Sequence, residues 1–216
     1  MVIQKDSVRD QVRRTLTERI LAGHYKPGDR LVELQIAREL GTSQGSVREA
    51  LRELEASRLV ESEPRRGTRV RVLSLKELQD AYFARGILEQ ATAATAAKAF
   101  KGNFEKLRQE VQGVLDAAEA GDLGAQAAHV YAFHRMIMEA ARNTVPLRLW
   151  ESLAFETRAR VRLEWEAIDM EQVKASYEAI LAALEKGDSR ASGRLLQEHA
   201  ATFAPTTNPV QQDEIL

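Results

Sequence analysis

Residues 42–59, TSQGSVREALRELEASRL, carry the pattern around which the rest of the chain is organised. Val47, Ala50, Leu51 and Leu54 recur at helical spacing, while Ser43, Gln44, Ser46 and Arg48 crowd the first turn with hydrogen-bonding groups. That polarity suits a helix whose first turn reaches base edges and phosphates while its later turns anchor in a core. A capped amphipathic surface helix shows the same pattern, so the flanking segments must decide between the two.

Upstream, residues 7–22 place Val8, Val12, Leu16, Ile20 and Leu21 at three- and four-residue spacings and stop at Gly23. Pro27-Gly28 makes a turn, Leu31 is a short extended entry, and residues 33–40 form a second helix with Leu34, Ile36, Ala37 and Leu40 as its apolar positions. Gly41 ends that helix, and only Thr42 and Ser43 precede the next, which is the helix-turn-helix arrangement. Downstream the period becomes alternating. Residues 59–63 and 68–72 read as two short strands joined by Pro64-Arg65-Arg66-Gly67, with Val70 and Val72 on one face and Arg69 and Arg71 on the other. A hairpin directly after such a helix is the wing of a winged helix. Adjacent arginines are usually only solvated, but at this tip Arg65 and Arg66 are placed to meet phosphate or the minor groove.

The 216 residues, 44% of them hydrophobic, suffice for one sizeable core and a second, smaller one. Net charge is −1 overall but unevenly spread. Residues 1–73 hold 15 Lys and Arg against 11 Asp and Glu, a balance of +4; residues 74–216 hold 16 against 21, a balance of −5. The basic half is where an anion would bind. With no cysteine, disulfides and thiolate metal sites are excluded. No apolar run approaches the roughly 20 residues that cross a bilayer, and residues 1–10 are too polar for a signal peptide, so a cytoplasmic protein without membrane association is expected.

Ser74-Leu75-Lys76-Glu77 is a capping box that starts a new helix right after the wing. Helices are expected over residues 74–100, 104–120, 126–141, 147–166, 170–185 and 189–203, with breaks at 102–103, 121–122, 143–146, 168–169 and 187–188. Residues 205–216 are polar, unpatterned and expected to be disordered. The fold class is therefore mainly α: a winged helix-turn-helix over 1–73 with a small β-hairpin, and an all-α bundle over 74–204.

Residues 8–73 resemble the DNA-binding domain of the GntR family of bacterial transcription regulators. The match runs through ILAGHYKPGDRLVELQIARELGTSQGSVREALRELEASRLVESEPRRGTRV, with Pro27-Gly28, Ala37, Leu40-Gly41, the run from Val47 to Leu51, Leu54, Leu59-Val60 and Gly67 in the family's positions. The resemblance implies DNA contacts at Ser43, Gln44, Gly45, Ser46 and Arg48 in the helix and at Arg66 and Gly67 in the wing. Gln44 stands where the family usually has arginine, which shifts the preference from guanine towards adenine or a phosphate. Arg58 stands where the family prefers a helix-ending glycine, and a left-handed backbone there costs about 1 kcal/mol of strain.

The helical half resembles the ligand-binding domain of the FadR-like branch, called FCD, through residues 85–89 (RGILE), Phe133-His134, residues 141–143 (ARN), Ala179-Ile180, Gly187-Asp188 and His199. In many such proteins an aspartate and three histidines bind a divalent metal of the zinc or nickel type that helps hold a carboxylate effector. His134 and His199 match two of those ligands, but Val130 and Tyr177 occupy the other two positions, which argues against a stable metal site. His129 lies about 100° round the helix from the lost aspartate and is a poor substitute. Arg85 extends the stripe of Leu78, Tyr82 and Glu89. Either it forms a surface pair with Glu89, or it aims its guanidinium into a cavity to hold an effector carboxylate, with Tyr82, Tyr177, His134 and His199 on the polar side.

The reading is a one-component transcription regulator, in family terms commonly a repressor, that binds a near-palindromic double-stranded operator as a homodimer and senses a small carboxylate-bearing metabolite. The rival is a DNA-binding regulator whose pocket has lost both ligand and metal. An enzyme is not expected, since the His134 and His199 stripe carries no carboxylate ligand or general base.

Overall fold

The computed structural model describes residues 7–56, 58–100 and 104–207, with the side chain of Leu21 outside that set. The expected break at 102–103 and the expected tail over 208–216 lie outside the described residues. The chain divides into two compact units, Met1–Leu73 and Ser74–Leu216.

The first unit holds α1 (Val8–Leu21), β1 (Arg30–Leu31), α2 (Glu33–Glu39), α3 (Gln44–Ala56), β2 (Val60–Glu63) and β3 (Gly67–Val70). Ser7 opens α1 with a reciprocal capping box to Asp10, and Gly41, at φ +61°, turns the chain out of α2. Val47, Ala50, Leu51 and Leu54 of α3 pack against Val12, Leu16, Ile36 and Ala37, and Leu59, Val60 and Val70 complete the same core.

The sheet contains a strand that the sequence pattern did not reveal. Leu31, expected as an extended entry, belongs to β1, which pairs antiparallel with β3 and makes the order β1-β3-β2. The hairpin register sets Val60 opposite Val70 and Glu63 opposite Gly67. β3 stops at Val70, so the alternation expected through Val72 ends early and Val72 is exposed. Val8 and Leu34, expected on buried stripes, are exposed as well: each borders an open groove, Val8 with Gly41 and Ser43, Leu34 with Gln44 and Gly67.

The second unit is helical among its described residues: α4 (Leu75–Ala99), α5 (Glu105–Glu119), α6 (Leu123–Ala140), α7 (Thr144–Glu151), α8 (Phe155–Trp165), α9 (Met170–Lys186) and α10 (Ser189–Thr202). The capping box of Ser74 and Glu77 forms as read. α4 lies along α10, and Gly86 and Gly193 permit the close approach: a Cβ on Gly86 would stand 3.0 Å from the Ala200 methyl, and one on Gly193 3.1 Å from the Gln90 carbonyl.

The single helix expected over 147–166 is two helices. Pro146 does not delay α7, because it sits in the first turn, where a missing N–H removes no helix bond. The break falls instead at Ala154, whose φ of 48° is left-handed, with the Arg158 guanidinium donating to the Leu153 carbonyl. This break allows Trp150 and Phe155, five residues apart, both to be buried. Residues 205–207, placed in the expected tail, are tied down: Gln79 Nε2 donates to the Pro205 carbonyl at 3.0 Å, and the Thr206 N–H to Glu166 at 2.9 Å.

Candidate functional site

In the first unit, Ser43, Gln44, Gly45, Arg48, Arg66 and Gly67, expected to touch DNA, are exposed, and Ser46 is half-buried. Ser43 caps α3, its Oγ accepting from the Ser46 N–H at 3.1 Å and meeting Ser46 Oγ at 2.9 Å. Gln44 and Arg48 share a partner that sequence reasoning missed, Glu33 at the start of α2. Arg48 donates Nε to Glu33 Oε1 at 3.0 Å and Nη2 to Oε2 at 2.7 Å, and Gln44 Nε2 donates to Oε2 at 2.8 Å. Arg48 holds the Glu33 carboxyl below its usual range, against a smaller upward push from burial. At the wing tip Arg66 donates to Glu63 at 3.0 Å, beside Arg65 and Gly67, which both have positive φ.

Gly67 lies beside the Arg30 guanidinium, and what requires glycine there is its φ of +81°, since a Cβ would stand at an ordinary contact distance of 3.4 Å from Arg30 Nε. An open groove of about 240 Å³, lined by Arg30, Leu31, Glu33, Gln44, Gly67 and Thr68 among others, joins the first turn of α3 to the wing. Arg58 adopts φ 59°, the left-handed backbone considered for it.

In the second unit, Arg85 and Glu89 are not a surface pair. They are 1% and 0% exposed, with Arg85 Nε 3.4 Å from Glu89 Oε1. The guanidinium also lies 4.3 Å over the Phe155 ring and 4.9 Å over Tyr82. Glu89 accepts from Trp150 Nε1 at 2.9 Å, and its other oxygen stands 3.1 Å from His134 Nδ1, out of line for a full hydrogen bond. Arg85 Nε and Nη2 and both ring nitrogens of His134 complete no hydrogen bond among the described residues. His199 Nδ1 meets Ser176 Oγ at 2.9 Å, and the His134 and His199 rings are 5.2 Å apart.

Burial raises the Glu89 carboxyl, but His134, Arg85 and Trp150 outweigh it and leave the pKa below the usual value. Burial pushes both histidines down, His199 well below 6.5 with His134 and Arg85 adding to the effect, so both rings are neutral near pH 7. Burial likewise pushes the Tyr177 phenol up.

A cavity of about 40 Å³ opens on this cluster, and Tyr82, Arg85, Tyr177 and His199 line it together with Gln126 and Arg162. His134, expected on the same wall, is fully buried behind it and is not a lining residue. Val130 does line it, an aliphatic side chain where a metal ligand would be needed. The donor set does not fit a divalent metal: Val130 offers no donor, Tyr177 is a phenol whose proton burial holds more tightly, and among the described residues no cluster of three His, Asp, Glu or Cys is placed to hold one. His129 turns to Glu110, at 2.8 Å, and supplies no ligand.

Glu89, Trp150, Gln126 and Arg162 are among the members of this centre that sequence reasoning did not assign to it. The position of Glu89 on the Arg85 stripe was a usable signal, whereas the inward turn of Trp150 depends on the break at Ala154.

A winged helix-turn-helix with polar groups at the start of its second helix, together with a separate helical unit enclosing a mostly apolar cavity that Arg85 and His199 reach, defines a DNA-binding regulator. The model of bacterial regulatory proteins of the gntR family matches residues 8–70, and the FCD domain matches residues 80–202. The chain belongs to the GntR family, with an FCD domain, and is a transcription regulator rather than an enzyme. It is 35% identical over 205 residues to a protein of Paenarthrobacter nicotinovorans named "Probable D-xylose utilization operon transcriptional repressor", covering 95% of this chain and 91% of that one. It is 28% identical to the HTH-type transcriptional regulator LutR of Bacillus subtilis, covering 86% and 92%. A GntR transcriptional regulator from Rhodococcus sp. RHA1 has the same fold, with a TM-score of 0.75 at 24% identity, covering 92% of this chain and 98% of that one. No helix among the described residues is long and apolar enough to cross a membrane.

Proposed function

We propose that this chain is a cytoplasmic repressor that binds a near-palindromic operator as a homodimer and releases it when a small metabolite enters the cavity of the helical unit. Ser43, Gln44, Gly45, Ser46 and Arg48 would read the major groove, and Arg66 and Gly67 would contact the backbone or minor groove beside it. The observation that carries this reading is the single groove shared by Gln44 and Gly67, which lets the helix and the wing engage one stretch of duplex. Tyr82, Arg85, Tyr177 and His199 would hold the effector, with His134 supporting Glu89 from behind.

A cavity of about 40 Å³ admits water and not a metabolite, so the ligand-bound state must differ from this one. A sensor requires such a difference, since a ligand shifts an equilibrium only by binding one state better than the other. The name of the Paenarthrobacter relative makes a pentose one effector to include in screening.

Selection of bound duplexes from a random pool tests the DNA reading. The wild-type protein should enrich a near-palindrome that Arg48→Ala fails to enrich. Enrichment of the same site by both proteins would remove Arg48 from the interface, and enrichment by neither would contradict operator recognition.

A further inference from the structure

We propose that Arg30, in β1, clamps the DNA backbone: its guanidinium takes a phosphate of the strand that separates the major groove entered by α3 from the minor groove met by the wing. The inference rests on the DNA-binding reading above and adds to it a residue that neither the helix pattern nor the wing tip indicated.

β1 is two residues long, and its side chains point to opposite faces: Leu31 is buried in the core and Arg30 projects to solvent. Pairing with β3 sets Arg30 opposite Arg69 and Leu31 opposite Thr68. The Arg30 side chain then lies over the start of β3, with Nε, Nη2 and Cζ at 3.4, 3.5 and 3.8 Å from where a Cβ on Gly67 would stand. Arg30, Gln44 and Gly67 all line the groove of about 240 Å³ that joins the helix to the wing.

Arg48, Arg66 and Arg69 are already engaged. Glu33 holds Arg48 at 2.7 Å, Glu63 holds Arg66 at 3.0 Å, and Arg69 Nη1 donates to the Gly28 carbonyl at 2.9 Å. Glu33 is the acid on the groove wall, and Arg48 and Gln44 occupy both its oxygens. Arg30 makes no hydrogen bond or ion pair among the described residues. It therefore leaves one unbalanced positive charge on this wall, with a planar fork free to take two phosphate oxygens.

In a B-form duplex a sugar-phosphate strand divides the major groove from the minor groove. A protein that places a helix turn in one and a wing in the other must straddle that strand, and a cation between the two meets phosphate rather than base edges. Arg30 shares its groove with Gln44 of the helix and Gly67 of the wing, so its contact would fix register and carry no sequence preference of its own. In the competing account Arg30 only shields the edge strand β1 from pairing, which requires no contact with DNA.

Fluorescence anisotropy of the full-length chain on its selected operator, with each phosphate of one half-site replaced in turn by an uncharged methylphosphonate, separates the two. Arg30→Gln should bind the operator and a scrambled duplex alike about tenfold more weakly, with a log–log salt slope shallower by about one per bound protomer. At one phosphate, or two adjacent ones, methylphosphonate should weaken the wild type by a similar factor and leave Arg30→Gln unchanged. The melting temperature of the variant should match that of the wild type, since the side chain is exposed and bonds to nothing within the described residues. Arg30→Met, which keeps the apolar stem, replaces the first variant if that one does not fold; unfolding of both would make Arg30 a structural residue and overturn the proposal. Wild-type affinity and slope in the variant, or a methylphosphonate profile identical in the two proteins, would overturn the phosphate contact while leaving operator binding intact. A wild type that selects no operator would instead overturn the DNA-binding reading on which the contact rests.

Discussion

Glu33 grips Arg48 with both carboxylate oxygens and Gln44 with one of them, so a single acid at the start of α2 positions two side chains in the first turns of α3. The contacts are solvent-exposed and should contribute little to folding. On the proposed DNA-binding reading their consequence is expected in recognition, because a side chain already held in one rotamer loses less freedom when it meets a base. Glu33→Gln should weaken sequence discrimination by about tenfold while raising affinity for unrelated duplex, since a negative charge leaves the face. Fluorescence anisotropy against the selected and a scrambled duplex measures both effects; an unchanged ratio would exclude a positioning role for Glu33.

Close packing of α4 on α10 makes a second prediction. An added methyl at a helical glycine ordinarily gains about 1 kcal/mol of propensity. At Gly193 it would press on the Gln90 backbone, which cannot move without its helix, and overpacking of this kind costs about 1–3 kcal/mol. Gly193→Ala should therefore lower the melting temperature by a few degrees. Gly45→Ala, whose nearest neighbour would be Ser43 Oγ at 3.7 Å, should leave it unchanged or slightly raised. Equal shifts in the two variants would contradict the packing described for α4 and α10.

Both buried histidines should make the fold acid-sensitive. Their folded pKa values lie below 6.5, so beneath that pH the unfolded chain takes up protons that the folded chain does not. Stability is thus retained above about pH 6.5 and lost as pH falls, by up to about 1.4 kcal/mol per pH unit for each histidine until its own folded pKa is reached. Thermal melts between about pH 7 and about pH 5 should show this decline, and His199→Gln should make it shallower. A decline that begins only near the carboxylate range, about pH 4.5, in both proteins would contradict the assignment.

Much of this architecture was legible because it rests on local pattern. The 3.6-residue spacing of Val47, Ala50, Leu51 and Leu54, the Gly41 stop and the Ser74–Glu77 box are each specified within a few residues, and each appears in the fold. What was missed depends on partners distant in sequence. β1 exists only because β3 comes to lie beside it, nearly forty residues later. The turn at Ala154 has no glycine or proline to announce it. The chemistry of the cavity was only half readable for the same reason: a helical stripe identified Arg85 and placed Glu89 next to it, but not their complete burial or the approach of Trp150 and His134 from other helices. Arg85 thus resembled an anion hook in sequence and is one half of a neutral pair in the fold.

Recognition of DNA by the first turn of α3 together with the wing tip is tested most directly by the salt dependence of operator affinity for the wild type, Arg48→Ala and Arg66→Ala. The wild type should lose affinity steeply as salt rises. Arg66→Ala should weaken binding to all duplexes alike and make the log–log slope shallower by about one, whereas Arg48→Ala should mainly erase the preference for the selected site. Wild-type affinity, slope and preference in both variants would contradict the placement of DNA on this face.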